Sequence, residues 1–280
     1  ELGEKIAAHK NGQIDDDKFR SLRLARGVYG QRQQGVQMIR IKLPFGKVTV
    51  NQLERIADVA DKYSTGTLHI TTRQDIQIHY VSLDRTPELW SELETDDVTL
   101  REACGNTVRN VTASSIAGID KEEPFDVAPY ADLVFRYFLR KPFGQELGRK
   151  IKISFSSNDK DDAYSFIHDF GFIPKIENGV KGFKVLVGGG LGAQPFLAKV
   201  AFEFLAVERL LPFIEASIRV FDRYGERNSR HKARMKYIIS KLGIEEFLKI
   251  VEEESIAVQY QDTDLEIVEQ DSEKQFDGEV

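Results

Sequence analysis

Along the segment Gln37 to Pro44, read as QMIRIKLP, Ile39 and Ile41 face one way and Arg40 and Lys42 the other, which predicts a strand ended by Pro44 and Gly46. The same period of two recurs in LHITTRQDIQIHY, where Leu68, Ile70, Ile76, Ile78 and Tyr80 alternate with polar residues, so residues 68 to 80 read as a half-buried hairpin or bent strand pair. Between these runs, Leu53, Ile56, Val59 and Ala60 recur at helical spacing, with Asn51 as the expected cap, and a further helix is predicted from Pro87 to Leu93. The order β-α-β-β-α is that of a ferredoxin-like unit without its final strand, which suggests half of a larger layer.

The pattern changes after Glu94, Asp96 and Asp97. It predicts a helix over Tyr130 to Leu139, a strand over Lys150 to Phe155, a helix over Asp161 to Phe170 and strands over Phe172 to Ile176 and Gly182 to Val187. Helices are expected at Phe202 to Tyr224, Arg230 to Leu242 with Gly243 as its stop, and Ile244 to Glu254. The class is therefore α+β, with four expected parts: an irregular basic arm (1–36), a ferredoxin-like half-domain (37–97), a mixed α/β domain with C-terminal helices (98–254) and an acidic flexible tail or linker (255–280). No internal repeat is visible.

The chain of 280 residues carries a net charge of −6, which argues against a general nucleic-acid binder and makes any anion site a local feature. It has no apolar run of membrane-spanning length and no signal-peptide core, so a cytoplasmic location is expected. Its single cysteine, Cys104, agrees with that compartment and forms no disulfide framework. A first residue of Glu rather than Met suggests a trimmed or processed start.

Against this acidic background, four cationic segments stand out. Thr71, Thr72, Arg73 and Gln74 form a connection without the Gly, Asn or Asp that a tight hairpin favours, so turn chemistry alone does not explain them. Arg40 with Lys42, and Lys150 with Lys152, each place paired charge on one strand face; a charged edge strand is the structural alternative. In CGNTVRNV, Arg109 suits an anion, or equally a loop braced through backbone carbonyls. The run VLVGGGLGAQP lacks the spacing of a dinucleotide loop and reads as a tight turn.

Together, MIRIKLPFG, LHITTRQDIQIHY, CGNTVRNV and RKIKISFS resemble, in order, segments of the siroheme-dependent sulfite and nitrite reductases. GFKVLVGGGLG and YGERNSRHKARMKYII extend the resemblance, which runs from Gly27 to Glu254. It implies that Arg40, Arg109, Lys150 and Lys152 surround the substrate oxyanion, and that Thr71, Arg73 and Gln77, with Arg149, contact siroheme. Reducing sulfite to sulfide takes six electrons, and protons to remove three oxygens as water. Arginine stays charged and orients an anion, whereas a crowded or desolvated lysine can also supply protons.

The resemblance favours sulfite over nitrite through Lys152, a position that tends to be Asn in nitrite-specialised members; a non-catalytic tetrapyrrole-binding scaffold is the alternative of another class. It departs from the family at His69, often Arg in siroheme-binding members. A [4Fe–4S] cluster would require four cysteines, which the family carries in its second half, so this chain is expected to be an N-terminal half that is inactive alone. Its implied partners are its C-terminal half and an electron donor, ferredoxin or a flavoprotein. A homodimer through the open sheet edge is expected of the isolated piece. Some relatives have a Tyr–Cys pair near the pocket, for which Tyr29 and Cys104 are the matching residues.

Overall fold

A computed structural model describes residues 1–258 and Ile267. The N-terminal stretch is not an irregular arm: it forms helices α1 (Leu2–Lys10) and α2 (Asp16–Leu24) and strand β1 (Val28–Gly30). Its apolar residues are sparse, yet Leu2, Ile6, Phe19 and Val28 are all buried in the first core, and Asp15 caps α2 by accepting from the Lys18 N–H at 2.8 Å.

Strands β2 (Val36–Ile41), β3 (Leu68–Ile70) and β4 (Ile76–Ser82) join β1 in an antiparallel sheet of order β1-β2-β4-β3. Strand β1 pairs with β2, so the sheet has the fourth strand that the order β-α-β-β-α lacked, and β1 and β3 are its outer strands. Helix α3 (Val50–Tyr63) begins at Thr49, not Asn51: Thr49 Oγ1 accepts from the Gln52 N–H and Gln52 Oε1 from the Thr49 N–H, a reciprocal box that Asn51, inside the first turn, could not make. With α4 (Thr86–Glu94), it buries Ile56, Val59, Ala60, Leu89 and Leu93 in one core with Ile39, Ile41 and Ile78. Here is the ferredoxin-like half-domain read from the sequence.

The second sheet contains β5 (Val108–Ala113), β6 (Ile151–Phe155), β7 (Phe170–Glu177), β8 (Val180–Val187) and β9 (Lys199–Ala206) in that spatial order. The first three are parallel and the last two antiparallel to their neighbours. Helix α5 (Ala128–Phe138) lies between β5 and β6 in the chain; α6 (Leu210–Tyr224), α7 (Met235–Leu242) and α8 (Ile244–Val258) follow β9. All four helices share a core with the sheet, centred on Phe155, Phe172 and Phe183, whose rings meet at 4.8 to 5.8 Å.

Three predicted helices change. The stretch 161–170 is a turn, because Asp161 and Tyr164 have φ of 53° and 54°, outside the right-handed helical region. The Asp161 carboxylate organises it, accepting from Ser156 Oγ and from the Ser165 and Phe166 N–H groups. The run 202–224 divides into β9 and α6, and Pro212, which has no N–H, is placed in the helix's first turn. In the run 230–242, α7 starts only at Met235. Helix α8 continues to Val258, four residues into the stretch read as tail; the rest of that stretch, apart from Ile267, lies outside the described residues. Among the described residues, no helix is long and apolar enough to cross a membrane.

Candidate functional site

The hairpin tip between β3 and β4 locks onto the outer edge of β5. Gln74 takes the positive φ (57°) that the tip needs. Its amide then acts as a strand partner, Nε2 donating to Ala113 O at 2.7 Å and Oε1 accepting from the Ala113 N–H at 3.1 Å. Thr71 Oγ1 accepts from the Arg73 and Asp75 N–H groups, so this hydroxyl closes the turn. Asn110 Nδ2 crosses back to Leu43 O at 2.5 Å and Arg73 O at 3.1 Å. The polar tip is thus a joint between the two sheets, and it carries Arg73 between them.

Arg73 donates through Nη2 to the carbonyls of Asn110 and Ile153, while its Nε and Nη1 are buried with no hydrogen-bonding partner among the described residues. Burial pulls its pKa down to about 10. Unpaired buried donors of this kind are costly unless an acceptor arrives to meet them.

Around Arg109 the structure gathers most of the cations that the sequence singled out, with Arg40, Arg73, Lys150 and Lys152 all within reach of its charge. Arg40 lies opposite Gln77 in the β2–β4 ladder, and the Gln77 amide oxygen, turned toward it, accepts from Nε at 3.1 Å and Nη2 at 2.5 Å. Arg109 sits where the β5–β6 register shifts between Val108 and Val111. It braces its loop, Nε donating to Gly105 O at 2.9 Å and Nη1 to Ala103 O at 2.8 Å, which leaves Nη2 without a hydrogen bond among the described residues. Burial lowers its pKa, and Arg40 adds to that.

Lys150 and Lys152 lie on an interior strand, so the edge-strand alternative does not hold: β6 has β5 on one side and β7 on the other, with Ile151 and Ile153 fully buried on the opposite face. Burial, then Arg109 and Lys152, bring the Lys150 ammonium down to about 7. Burial, then Arg73 and Arg234, bring Lys152 down to about 8. Arg149 is also lowered, by burial and by Arg230 and Arg234.

Lys42 behaves differently from its strand neighbour. It is 3% exposed, 3.7 Å from Glu102 and over the Phe135 ring, a buried pair within the fold rather than part of a solvated cationic face. His69 is exposed and stacks on His79 at 5.8 Å. Cys104 is wholly buried, its thiol pushed up by that burial, while Tyr29 is 45% exposed.

Four groups of the site were not found in the sequence: Asp75, Asn110, Asp169 and Arg234. Fully buried Asp169 accepts three hydrogen bonds from Arg234, at 2.9 to 3.1 Å, and one from the Lys152 N–H at 2.9 Å. It thereby ties the basic segment before α7 to the lysine strand. The glycine turn makes room for this pairing. A Cβ on Gly189 would stand 2.4 Å from Phe166 O and 2.7 Å from His168 O, and Gly188 has φ of +84°. Arg234 had a signal in the basic run 226–236; Asp169, 65 residues from its partner, had none.

This arrangement can hold an anion with several acceptor oxygens and can exchange protons near neutral pH. Among the described residues, no group of three or more His, Cys, Asp or Glu could hold a metal ion.

Residues 104–258 match the family model described as nitrite and sulphite reductase 4Fe-4S domain, and residues 29–95 the nitrite/sulfite reductase ferredoxin-like half domain. Sulfite reductase [ferredoxin] 1 of Mycolicibacterium paratuberculosis is 28% identical over 260 residues, covering 86% of this chain and 46% of that protein. The assimilatory ferredoxin-dependent nitrite reductase of Haloferax mediterranei is 33% identical over 254 residues, covering 84% and 43%. The structure of the Mycobacterium tuberculosis NirA protein superposes with a TM-score of 0.82 at 26% identity, covering 91% of this chain and 52% of that one. The dissimilatory sulfite reductase I structure, at 13% identity and a TM-score of 0.66, shares the fold. The chain therefore spans about half the length of the curated relatives it matches.

Proposed function

This chain belongs to the nitrite and sulphite reductase family, and from that premise we propose that it is the first half of a siroheme-dependent reductase that converts sulfite to sulfide. On this reading, residues 37–97 and 98–254 are its two working parts, and the second half of the same protein and a ferredoxin or flavoprotein donor are its partners. The observation that carries the reading is the meeting of Arg40, Arg73, Lys150 and Lys152 around Arg109, with Nε and Nη1 of Arg73 lacking an acceptor among the described residues.

The residues present fit siroheme, whose eight carboxylates supply what the orphaned donors need; when bound, it would supply the redox chemistry. Arg73 and Arg149 would hold its carboxylates. Thr71 shapes the turn that presents Arg73, and Gln77 orients Arg40, so these two act through their neighbours. Arg40 and Arg109 bind and orient the oxyanion. Lys150, held to about 7, and Lys152, held to about 8, bind it and hand over protons as oxygens leave as water. The residues do not fit a [4Fe–4S] cluster, because the single Cys104 is buried and alone.

A second reading, ammonia-forming nitrite reduction, is supported by the nitrite reductases among the relatives. The test is turnover of both anions by the full-length protein with reduced ferredoxin. We expect sulfite to give the higher kcat/KM, and Arg109→Ala to lower it on the order of 100-fold. Preference for nitrite would move the assignment to the second reading, and full activity without Arg109 would overturn both.

A further inference from the structure

Asp75 is a carboxylate that the reading above does not use, although it stands among the cations that the reading depends on. It follows Gln74 in the hairpin joint, is only 3% exposed, and its Oδ1 has no hydrogen-bonding partner among the described residues. The backbone fixes it there, since its N–H donates to Thr71 Oγ1 and its carbonyl accepts from the Thr71 N–H. Arg40 faces it from β2, Lys42 from just beyond that strand, Arg73 from its own loop, and Arg109 from β5. The Cys104 thiol, in the segment before β5, lies close enough to feel its charge, and Lys42 is shared with Glu102. The other carboxylates nearby are engaged: Asp169 with Arg234 and the Lys152 N–H, Glu102 with Lys42, the Arg140 N–H and Gln145.

A buried carboxylate ringed by arginines stays charged only while those arginines have no better anion. An anion entering among them takes up their field and sets its own negative charge beside the carboxylate, and both effects favour the neutral acid. Resting on the anion-site reading, we propose that Asp75 takes up a proton when the small anion binds between Arg40 and Arg109, so that anion binding is coupled to protonation of this carboxyl. The step balances simply: one proton from solvent joins one carboxylate oxygen, and no electron moves. Desolvation already raises Asp75 to about 6 in the free protein, which places the coupled change within reach of neutral pH.

The test uses nitrite, which remains a singly charged anion between pH 5 and 7, and the full-length protein. Lys150, held to about 7, also takes up protons toward the top of that window, so its share is read from the slope that remains in Asp75→Asn. Nitrite affinity should strengthen as pH falls, by up to about tenfold per pH unit for a single coupled proton. Asp75→Asn should bind nitrite more tightly at pH 7, by a factor on the order of ten, and should show a shallower slope between pH 6 and 7, where the free carboxyl, raised to about 6, is still ionised enough to take up the proton. An unchanged slope in Asp75→Asn would overturn the inference alone, while absence of nitrite binding by the unsubstituted protein would overturn the anion site and the inference with it. Should Asp75→Asn fail to fold, calorimetry of the unsubstituted protein at pH 6 in two buffers of different ionisation heat gives proton uptake directly; an uptake of zero would overturn the proposal.

Discussion

The lysine strand makes a claim about stability that can be checked without any ligand. Lys150 moves from an ordinary value of 10.5 to about 7 because folding buries it beside Arg109, Lys152, Arg149 and Arg234. The folded protein therefore holds this proton less tightly than the unfolded chain does. Between pH 7 and 10.5 the unfolded state binds more protons, so stability rises with pH across that window, and the penalty is complete below pH 7. At 1.36 kcal/mol per pH unit the displacement corresponds to roughly 5 kcal/mol. Lys150 is only partly buried, and solvent screening reduces that to about 1–2 kcal/mol. Replacing it by methionine keeps the stem and removes the charge. Urea unfolding of the 280-residue chain in buffers free of polyvalent anions should show Lys150→Met more stable at pH 7 by about 1–2 kcal/mol, with the difference closing by pH 10. Loss of stability at pH 7, or a difference independent of pH, would refute the idea that the lysine is held in a strained charge state.

Other elements of the site give sharper structural consequences. Asp169→Asn leaves the Arg234 guanidinium without its carboxylate, so it should destabilise the chain by about 3–5 kcal/mol in the same urea assay. Since Asp169 also raises Lys152, NMR titration of the Lys152 side chain should move to lower pH in a folded Asp169→Asn sample. Gln74→Ala removes both bonds to Ala113 and keeps the positive φ, for a loss of about 1–3 kcal/mol; Gln74→Gly, relieved of the φ constraint, should lose less.

How far the sequence disclosed this molecule follows from which forces were local. The period-two runs at 37–41 and 76–80 found their strands because one face of each packs on a core, and Arg40, Lys150 and Lys152 were legible as cations on the other faces. Thr71 and Gln74 looked unsuited to a hairpin tip. Their purpose became visible only in the pairing of Gln74 with Ala113, 39 residues away. Residues 161–170 have a helical look, but Asp161 draws Ser156 and two backbone N–H groups into a turn that no periodicity encodes. Pro212 was a usable sign that the run 202–224 could not be one helix. The fourth strand of the first sheet, absent from the sequence pattern, is a three-residue strand too short to carry one.

We propose that the joint between the two sheets is a site for a polycarboxylate tetrapyrrole, with Arg73 as its buried anchor. Titrating the purified chain with siroheme and following the Soret band tests it most directly, comparing the unsubstituted protein with Arg73→Ala and with Lys62→Ala, a surface cation paired with Glu92. The account predicts saturable binding, weakened at least about tenfold by Arg73→Ala and unchanged by Lys62→Ala. No binding, or equal binding by all three proteins, would contradict it.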